Sequence, residues 1–280
     1  MTKSTVIFIV SVFIAVFCGI VSAEEQNRKI YMLSEDQLDR LLPELHTTCP
    51  LFNDRLAEIV KLYLGASYCT DPLTAEETNW FPHAKPNCTM LVLYAAALAN
   101  GKTYAGAREH MRLLHYRGGA VGFAARYHFT SDRITDEANR YFNDITAGCV
   151  KNPVLLQPIN LTLNKKKDGS SFFGGRLGNW SREVTVRMVS RKGFSMQNIK
   201  QLSPIVGVAF VKKVNFDKGI IVGHEGLLID GDLYHASPGK GVVVVKDYLA
   251  GEFAASSWTG LLFFSINEIG GAVSQEAAPP

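Results

Sequence analysis

The C-terminal third of the chain is a series of short apolar segments separated by turn residues, and this pattern constrains the fold most. Asp230-Gly231 lies between two of these segments and is typical of a two-residue hairpin turn. Helical patterns come earlier in the chain. The sequence therefore predicts an α+β protein, with helices first and an antiparallel sheet after. The predicted strands cover residues 205–214, 219–229, 232–237, 242–245 and 259–266.

Capping signals and apolar spacing predict the helices. Ser34-Glu35-Asp36-Gln37 fits a capping box before the first helix, and Asn53 is expected to cap the second. The polar stretch 151–203 is expected to be a loop or hairpin insertion. Three more helices are predicted over residues 88–100, 105–116 and 132–145.

Cys88 stands at the start of an apolar helical run, directly after Asn87, a good helix-capping residue. Because the N-terminus of a helix stabilises an anion, a cysteine there is expected to ionise near neutral pH and to act as a nucleophile. Cys69 is the rival nucleophile, but the Thr70-Asp71-Pro72 that follows it indicates a loop. The simpler interpretation of Cys88 is a buried free thiol.

The hairpin turn predicts that His224 and His235 are neighbours. It sets Ile229 opposite Asp232 and, further along, Gly226 opposite His235. His224 lies two residues from Gly226 and therefore on the same face, diagonal to His235. We expect His224 to be a catalytic base and His235 to orient it, although two ordinary strand histidines would fit the same pattern.

The N-terminus resembles a secretory signal. An apolar run follows Lys3 and ends in Val21-Ser22-Ala23, a small-residue cleavage site, so residues 1–23 are predicted to be a signal peptide. An uncleaved anchor is the minority interpretation. We expect one domain over residues 24–270, a flexible tail over 271–280, export to the periplasm or the extracellular space, and no stable membrane insertion after cleavage.

The net charge is too small to indicate a nucleic-acid partner. Removal of the signal takes away one of 29 basic residues and none of the 26 acidic ones, so the charge falls from +3 to about +2. In an oxidising compartment, one disulfide could form among Cys49, Cys69 and Cys149, and the sequence does not choose the pair. It does not give the oligomeric state either.

Taken together, these motifs resemble the NlpC/P60 superfamily of papain-like cysteine peptidases, and within it the DUF1460 family of N-acetylmuramoyl-L-alanine amidase-like proteins. The resemblance implies a papain-like fold. It implies that Cys88 is the nucleophile, that His224 and His235 complete the triad, and that Tyr68 helps to polarise the substrate. The segments that carry it are 64–68, 87–89, 114–119 and 125–129, followed by His224 and His235.

Other positions add to the resemblance or depart from it. The paired Arg126 and His128 match family positions expected to shape the site. Asn87 stands where the family more often has Asp, and the usual Phe-Val-Glu run after the nucleophile is absent. Glu225 replaces an apolar residue and is expected on the opposite face of its strand from His224.

The function implied by the resemblance is an exported cell-wall hydrolase that cleaves an amide bond of peptidoglycan by thiol chemistry, without a metal or other cofactor. The bond would be muramoyl-L-alanine or one within the stem peptide. A binding protein that holds peptidoglycan or muropeptides without cleaving them is the alternative. A zinc amidase that uses His128, His224 and His235 as ligands, with Cys88 or His83 as a fourth, is a third hypothesis, but the chain lacks the His-Glu-x-x-His spacing.

Overall fold

The structure, a computed structural model, describes residues 29–73 and 77–270. The predicted signal peptide and the predicted C-terminal tail lie outside these residues. Within them, helices come first and antiparallel strands follow, so the predicted α+β class is confirmed. The α-helices are α1 (Glu35–Thr48), α2 (Phe52–Leu62), α3 (Cys88–Asn100), α4 (Tyr104–His115) and α5 (Thr130–Thr135).

The first two helices begin differently. Ser34 and Gln37 form the predicted capping box at the start of α1, each side chain bonding to the backbone of the other. The prediction that Asn53 caps α2 was wrong. The helix starts at Phe52, with Leu51 as N-cap and no side-chain cap, and the buried Phe52 belongs to its first turn.

The predicted helix over 132–145 was also wrong. Helix α5 ends at Thr135, and strand β1 (Phe142–Asp144) follows it. Phe142 pairs with Ile266 near the end of the chain. This long-range pairing decides the structure of the segment, because the local helical periodicity gives only a weak preference for a helix.

The sheet is antiparallel throughout the described residues. Besides β1, the strands are β2 (Leu156–Leu163), β3 (Arg182–Ser190), β4 (Ile205–Val211), β5 (Val222–Ile229), β6 (Asp232–Ser237), β7 (Gly241–Val245) and β8 (Gly260–Ile266). The segment 151–203 does form a hairpin, since β2 pairs with β3 and β3 then joins β8. The order is β2-β3-β8-β4-β5-β6-β7, with β1 also paired to β8.

The sheet separates two hydrophobic cores. On one face, the almost wholly buried helix α3 packs against β5 and β6 and against the neighbouring helices. On the other face, a smaller core surrounds Phe210 and Phe253. Within residues 29–73 and 77–270, no helix is both long and apolar enough to cross a membrane.

Candidate active site

Helix α3 begins at Cys88, as the sequence predicts. The Asn87 side chain caps the helix by accepting a hydrogen bond from the Met90 amide at 2.8 Å. Its amide group also donates to the Thr70 carbonyl at 3.2 Å, which ties the start of the helix to the preceding loop. The backbone position of the thiol is therefore fixed from two sides.

The hairpin between β5 and β6 brings the two histidines together. Ile229 pairs with Asp232, which confirms the predicted register, and Asp230 and Gly231 both have positive φ, as a tight hairpin turn requires. A hydrogen bond of 2.7 Å joins His224 Nε2 to His235 Nδ1. The prediction that the two imidazole rings are neighbours is confirmed.

Aromatic rings hold His224 in place. The imidazole stacks on Trp258 at 6.1 Å and on Phe210 at 5.8 Å between ring centroids. Burial, with a smaller effect of His235, lowers the pKa of His224 to about 4. Burial also lowers the pKa of His235, so both imidazoles are neutral at pH 7.

Cys88 and His224 line one cavity of about 480 Å³. The Glu225 amide, the next peptide group after His224, donates a hydrogen bond to the Cys88 sulfur, so the thiol lies against strand β5. No hydrogen bond joins the thiol to His224 in the described residues. The other lining residues are Thr70, Thr89, His128, Phe129, Thr130, Phe172, Phe173, Ile220, Val222, Gly223 and Glu225.

The thiol of Cys88 is protonated at neutral pH in this structure. Burial, and then the negative charge of Glu225, raise the pKa of Cys88. The backbone amides of Glu225 and Thr89 and the Thr89 side chain lower it, but by less. The pKa of Cys88 is therefore shifted in the opposite direction to that expected from the helix N-terminus alone. Burial and the Glu225 carboxylate raise it by more than the helix dipole lowers it.

Glu225 is the residue of this site that sequence reasoning underestimated. It is fully buried, accepts a hydrogen bond from Thr130 Oγ1 at 2.9 Å and forms an ion pair with Arg133 at 2.6 Å. Its side chain points to the opposite face of β5 from that of His224, as expected, and its charge acts on Cys88. The sequence contained a signal for this position, because Glu225 alternates with Leu227 and Ile229 and therefore shares their face of the strand. Leu227 and Ile229 pack in the same core as α3.

Tyr68 and His128 both lie near Cys88. The pKa of Tyr68 is raised by burial and next by the charge of Cys88, which places the phenol close to the thiol. His128 lines the main cavity, donates a hydrogen bond from Nε2 to the Phe123 carbonyl at 2.7 Å, and has a pKa lowered to about 4, chiefly by burial.

Arg126 is placed differently. It does not line the main cavity but a smaller one of about 130 Å³, which shares Thr89 and His128 with it. Its guanidinium forms a buried ion pair with Glu77, whose other oxygen accepts a hydrogen bond from Tyr116 at 2.6 Å. Arg126 therefore lines the neighbouring cavity and does not line the one that contains Cys88.

Comparisons with known proteins agree with this architecture. The family model described as AmiA-like, N-acetylmuramoyl-L-alanine amidase-like, matches residues 58–253. The chain belongs to the AmiA-like family. A search of curated proteins found no match.

Two solved structures resemble this AmiA-like chain. A protein of the DUF1460 family from Legionella pneumophila has a TM-score of 0.67 and 16% identity, over 83% of this chain and 95% of that chain. An N-acetylmuramoyl-L-alanine amidase from Bacteroides uniformis has a TM-score of 0.59 and 19% identity, over 75% of this chain and 97% of that one. At these identities the likeness shows a shared fold.

The other cysteines that the structure describes are free thiols. Cys49, Cys69 and Cys149 are unpaired, so none of the disulfides considered from the sequence is formed among the described residues. Among the described residues, no group of three or more His, Cys, Asp or Glu side chains is arranged to hold a metal ion.

Proposed function

We propose that this AmiA-like protein is an exported cell-wall hydrolase that cleaves an amide bond of peptidoglycan, with Cys88 as nucleophile. One observation carries the proposal. His224, which is hydrogen-bonded to His235, lines the same cavity as Cys88 at the start of α3. A nucleophile, a base and a group that orients the base are the minimum for thiol-based acyl transfer.

The hydrogen bond between His224 and His235 decides the role of each ring nitrogen of His224. Because Nε2 is bonded to His235, Nδ1 is the atom that takes the thiol proton. The sulfur then attacks the amide carbonyl, and the backbone amide of Cys88 at the helix N-terminus stabilises the oxyanion. His224 returns the proton to the leaving amine, and water, deprotonated by His224, hydrolyses the thioester to a carboxylic acid and the free thiol.

The electrostatics favour a neutral resting pair over a preformed ion pair. The pKa of Cys88 is raised and that of His224 is lowered to about 4, so the proton stays on sulfur before the substrate binds. Proton transfer then accompanies the attack, with His224 acting as a general base. No hydrogen bond joins the thiol to His224 among the described residues, so the transfer requires the two side chains to approach each other within the cavity that they share.

Peptidoglycan is proposed as substrate from the family description and from the named amidase of Bacteroides uniformis. Export to the periplasm or the extracellular space is proposed from the predicted signal peptide. The NlpC/P60 relationship and its papain-like triad belong to the same proposal. They rest on the order of the motifs along the sequence.

Muropeptide cleavage by the wild type and by Cys88→Ala, followed by mass spectrometry, tests the proposal. We expect products from the wild type and none from the variant. Cys69→Ala is the matched control, since it removes the rival thiol, and it should retain activity. Cleavage by Cys88→Ala would contradict the assigned nucleophile.

A binding protein without hydrolytic activity is the second candidate. The raised pKa of Cys88 favours it, because a protonated thiol is a weak nucleophile. The same experiment separates the two functions. If neither protein yields products but both bind muropeptides, the binding function is correct and the hydrolase is not.

A further inference from the structure

Two segments that supply residues to the cavity, 164–173 and 213–223, also carry a cluster of lysines. The first segment follows strand β2, and the second contains a helical turn between β4 and β5. The five lysines are Lys165, Lys166, Lys167, Lys213 and Lys218, and we call them the lysine patch. All are exposed except Lys166, which is half-buried.

Backbone hydrogen bonds hold the two segments side by side. The Lys167 amide donates to the Asp217 carbonyl at 2.9 Å, and the Asn164 amide donates to the Gly219 carbonyl at 3.1 Å. Gly219 lies so close to Lys165 that an added Cβ would be 2.6 Å from the lysine backbone. The lysines therefore belong to one continuous surface, although they come from separate parts of the chain.

The lysine patch is strongly cationic. Asp168 and Asp217 lie in the same two segments, so five lysines and two carboxylates leave three positive charges. The formal net charge of the whole chain is also +3, so this one surface holds as much excess positive charge as the entire protein. Within the part of the chain that the structure describes, no lysine of the patch forms a salt bridge. The patch is therefore open to an anionic partner.

Two apolar side chains are exposed in the same segments. Val214 follows Lys213 directly and has 67% of its surface accessible. Phe172 is 36% exposed, and its amide donates to the Asn164 carbonyl at 2.9 Å, at the base of the turn that carries the first three lysines. A soluble polyanion would neutralise the lysines but leave these apolar side chains in water, which is costly. An anionic bilayer has hydrocarbon beneath its charged headgroups and covers both kinds of side chain.

We propose that the lysine patch, together with Val214 and Phe172, binds the surface of a membrane that contains anionic phospholipids. Each lysine close to such a surface strengthens binding about fivefold. The two apolar side chains add to this by entering the headgroup region. The contact is peripheral, and it goes beyond the proposed function because binding does not depend on cleavage.

Binding through this surface brings the cavity close to the membrane. The two segments that carry the patch supply Phe172, Phe173, Ile220 and Val222 to the cavity that contains Cys88. When these segments lie on a membrane, the cavity lies next to it. Molecules attached to the lipid surface are then the ones held close to Cys88.

Co-sedimentation with vesicles tests the proposal. The protein without residues 1–23 is used, so that the predicted signal peptide does not itself bind lipid. We expect binding to vesicles of mixed phosphatidylglycerol and phosphatidylcholine, weakened by salt, and none to phosphatidylcholine alone. Lys165→Gln/Lys167→Gln/Lys218→Gln should weaken binding on the order of one hundredfold, because three charges are lost. Val214→Ser should weaken it about fivefold without a change in charge.

Lys61→Gln/Lys102→Gln/Lys200→Gln is the matched control. It removes the same charge from exposed lysines on α2, after α3 and before β4, and should bind like the wild type. An equal loss in this control would show that total charge matters and the patch does not, which would overturn the proposal. Equal binding to neutral and anionic vesicles, or no binding to either, would also overturn it. Binding to soluble polyphosphate without binding to anionic vesicles would assign the surface to a polyanion in solution and refute the membrane contact.

Discussion

Replacing Glu225 with Gln should destabilise the fold and make the nucleophile more acidic. Glu225 and Arg133 are both fully buried, and their ion pair is 2.6 Å long. Among the described residues, Nε and Nη1 of Arg133 have no hydrogen-bond partner, so Glu225 is the carboxylate that compensates its charge. The Phe142 ring, 4.7 Å from the guanidinium, is a weaker partner.

The magnitude follows from leaving a buried cation without its counter-charge. Removing one member of a buried pair costs about 3–5 kcal/mol, a large share of the about 5–15 kcal/mol by which domains are stable. With a urea dependence of about 3 kcal/mol per molar, the unfolding midpoint should fall by about 1–2 M. Glutamine keeps the size of the side chain, so a cavity does not add to the loss.

The second readout is the reactivity of Cys88. Because the Glu225 charge raises the pKa of the thiol, its loss should move the iodoacetamide alkylation profile to lower pH. Mass spectrometry of the Cys88 peptide separates this thiol from the other cysteines. The double variant Glu225→Leu/Arg133→Met removes both charges and should recover most of the stability. A single-variant loss below about 1 kcal/mol, or an unchanged alkylation profile, would refute the reasoning.

Two further outcomes are expected. His224 has a pKa of about 4 in the folded protein and of 6.5 in the unfolded protein. As the pH falls, the unfolded state therefore binds the proton first. The free energy of unfolding should decrease by about 3 kcal/mol between pH 6.5 and 4. Urea unfolding across this range measures the decrease, and an equal decrease in His224→Gln would contradict its origin. Gly226→Ala should cost about 1–3 kcal/mol and reduce cleavage, because the new Cβ would lie 2.6 Å from the Tyr234 carbonyl and 3.0 Å from His235 Cβ. Gly148→Ala, with no atom within 4 Å of its Cβ, is the control, and an equal loss there would show that the crowding is not the cause.

Local signals were sufficient for several features of the site. The Asn87 cap fixed the start of α3, because a capping side chain acts within three residues of itself. The Asp230-Gly231 turn fixed the register of β5 and β6, and with it the hydrogen bond between the two imidazoles. Each of these inferences depends on neighbours in sequence or on one tight turn.

Features that depend on distant partners were missed. The segment around Phe142 has helical spacing but pairs with the last strand, more than one hundred residues away. Phe172 and Phe173, which line the cavity, come from an insertion that the sequence showed only as a polar loop or hairpin. Neither could be found by considering a window of ten or fifteen residues.

The sequence by itself determined that Cys88 stands at the start of a helix, which histidines are adjacent and that helices precede an antiparallel sheet, because these follow from short-range capping, turn geometry and strand alternation. The charge state of Cys88 was decided only by the tertiary structure. Burial and the carboxylate of Glu225 raise the pKa of Cys88, and that carboxylate is in turn held by Arg133 from another part of the chain. Electrostatic effects of this kind depend on distance and burial, which only the packed fold sets.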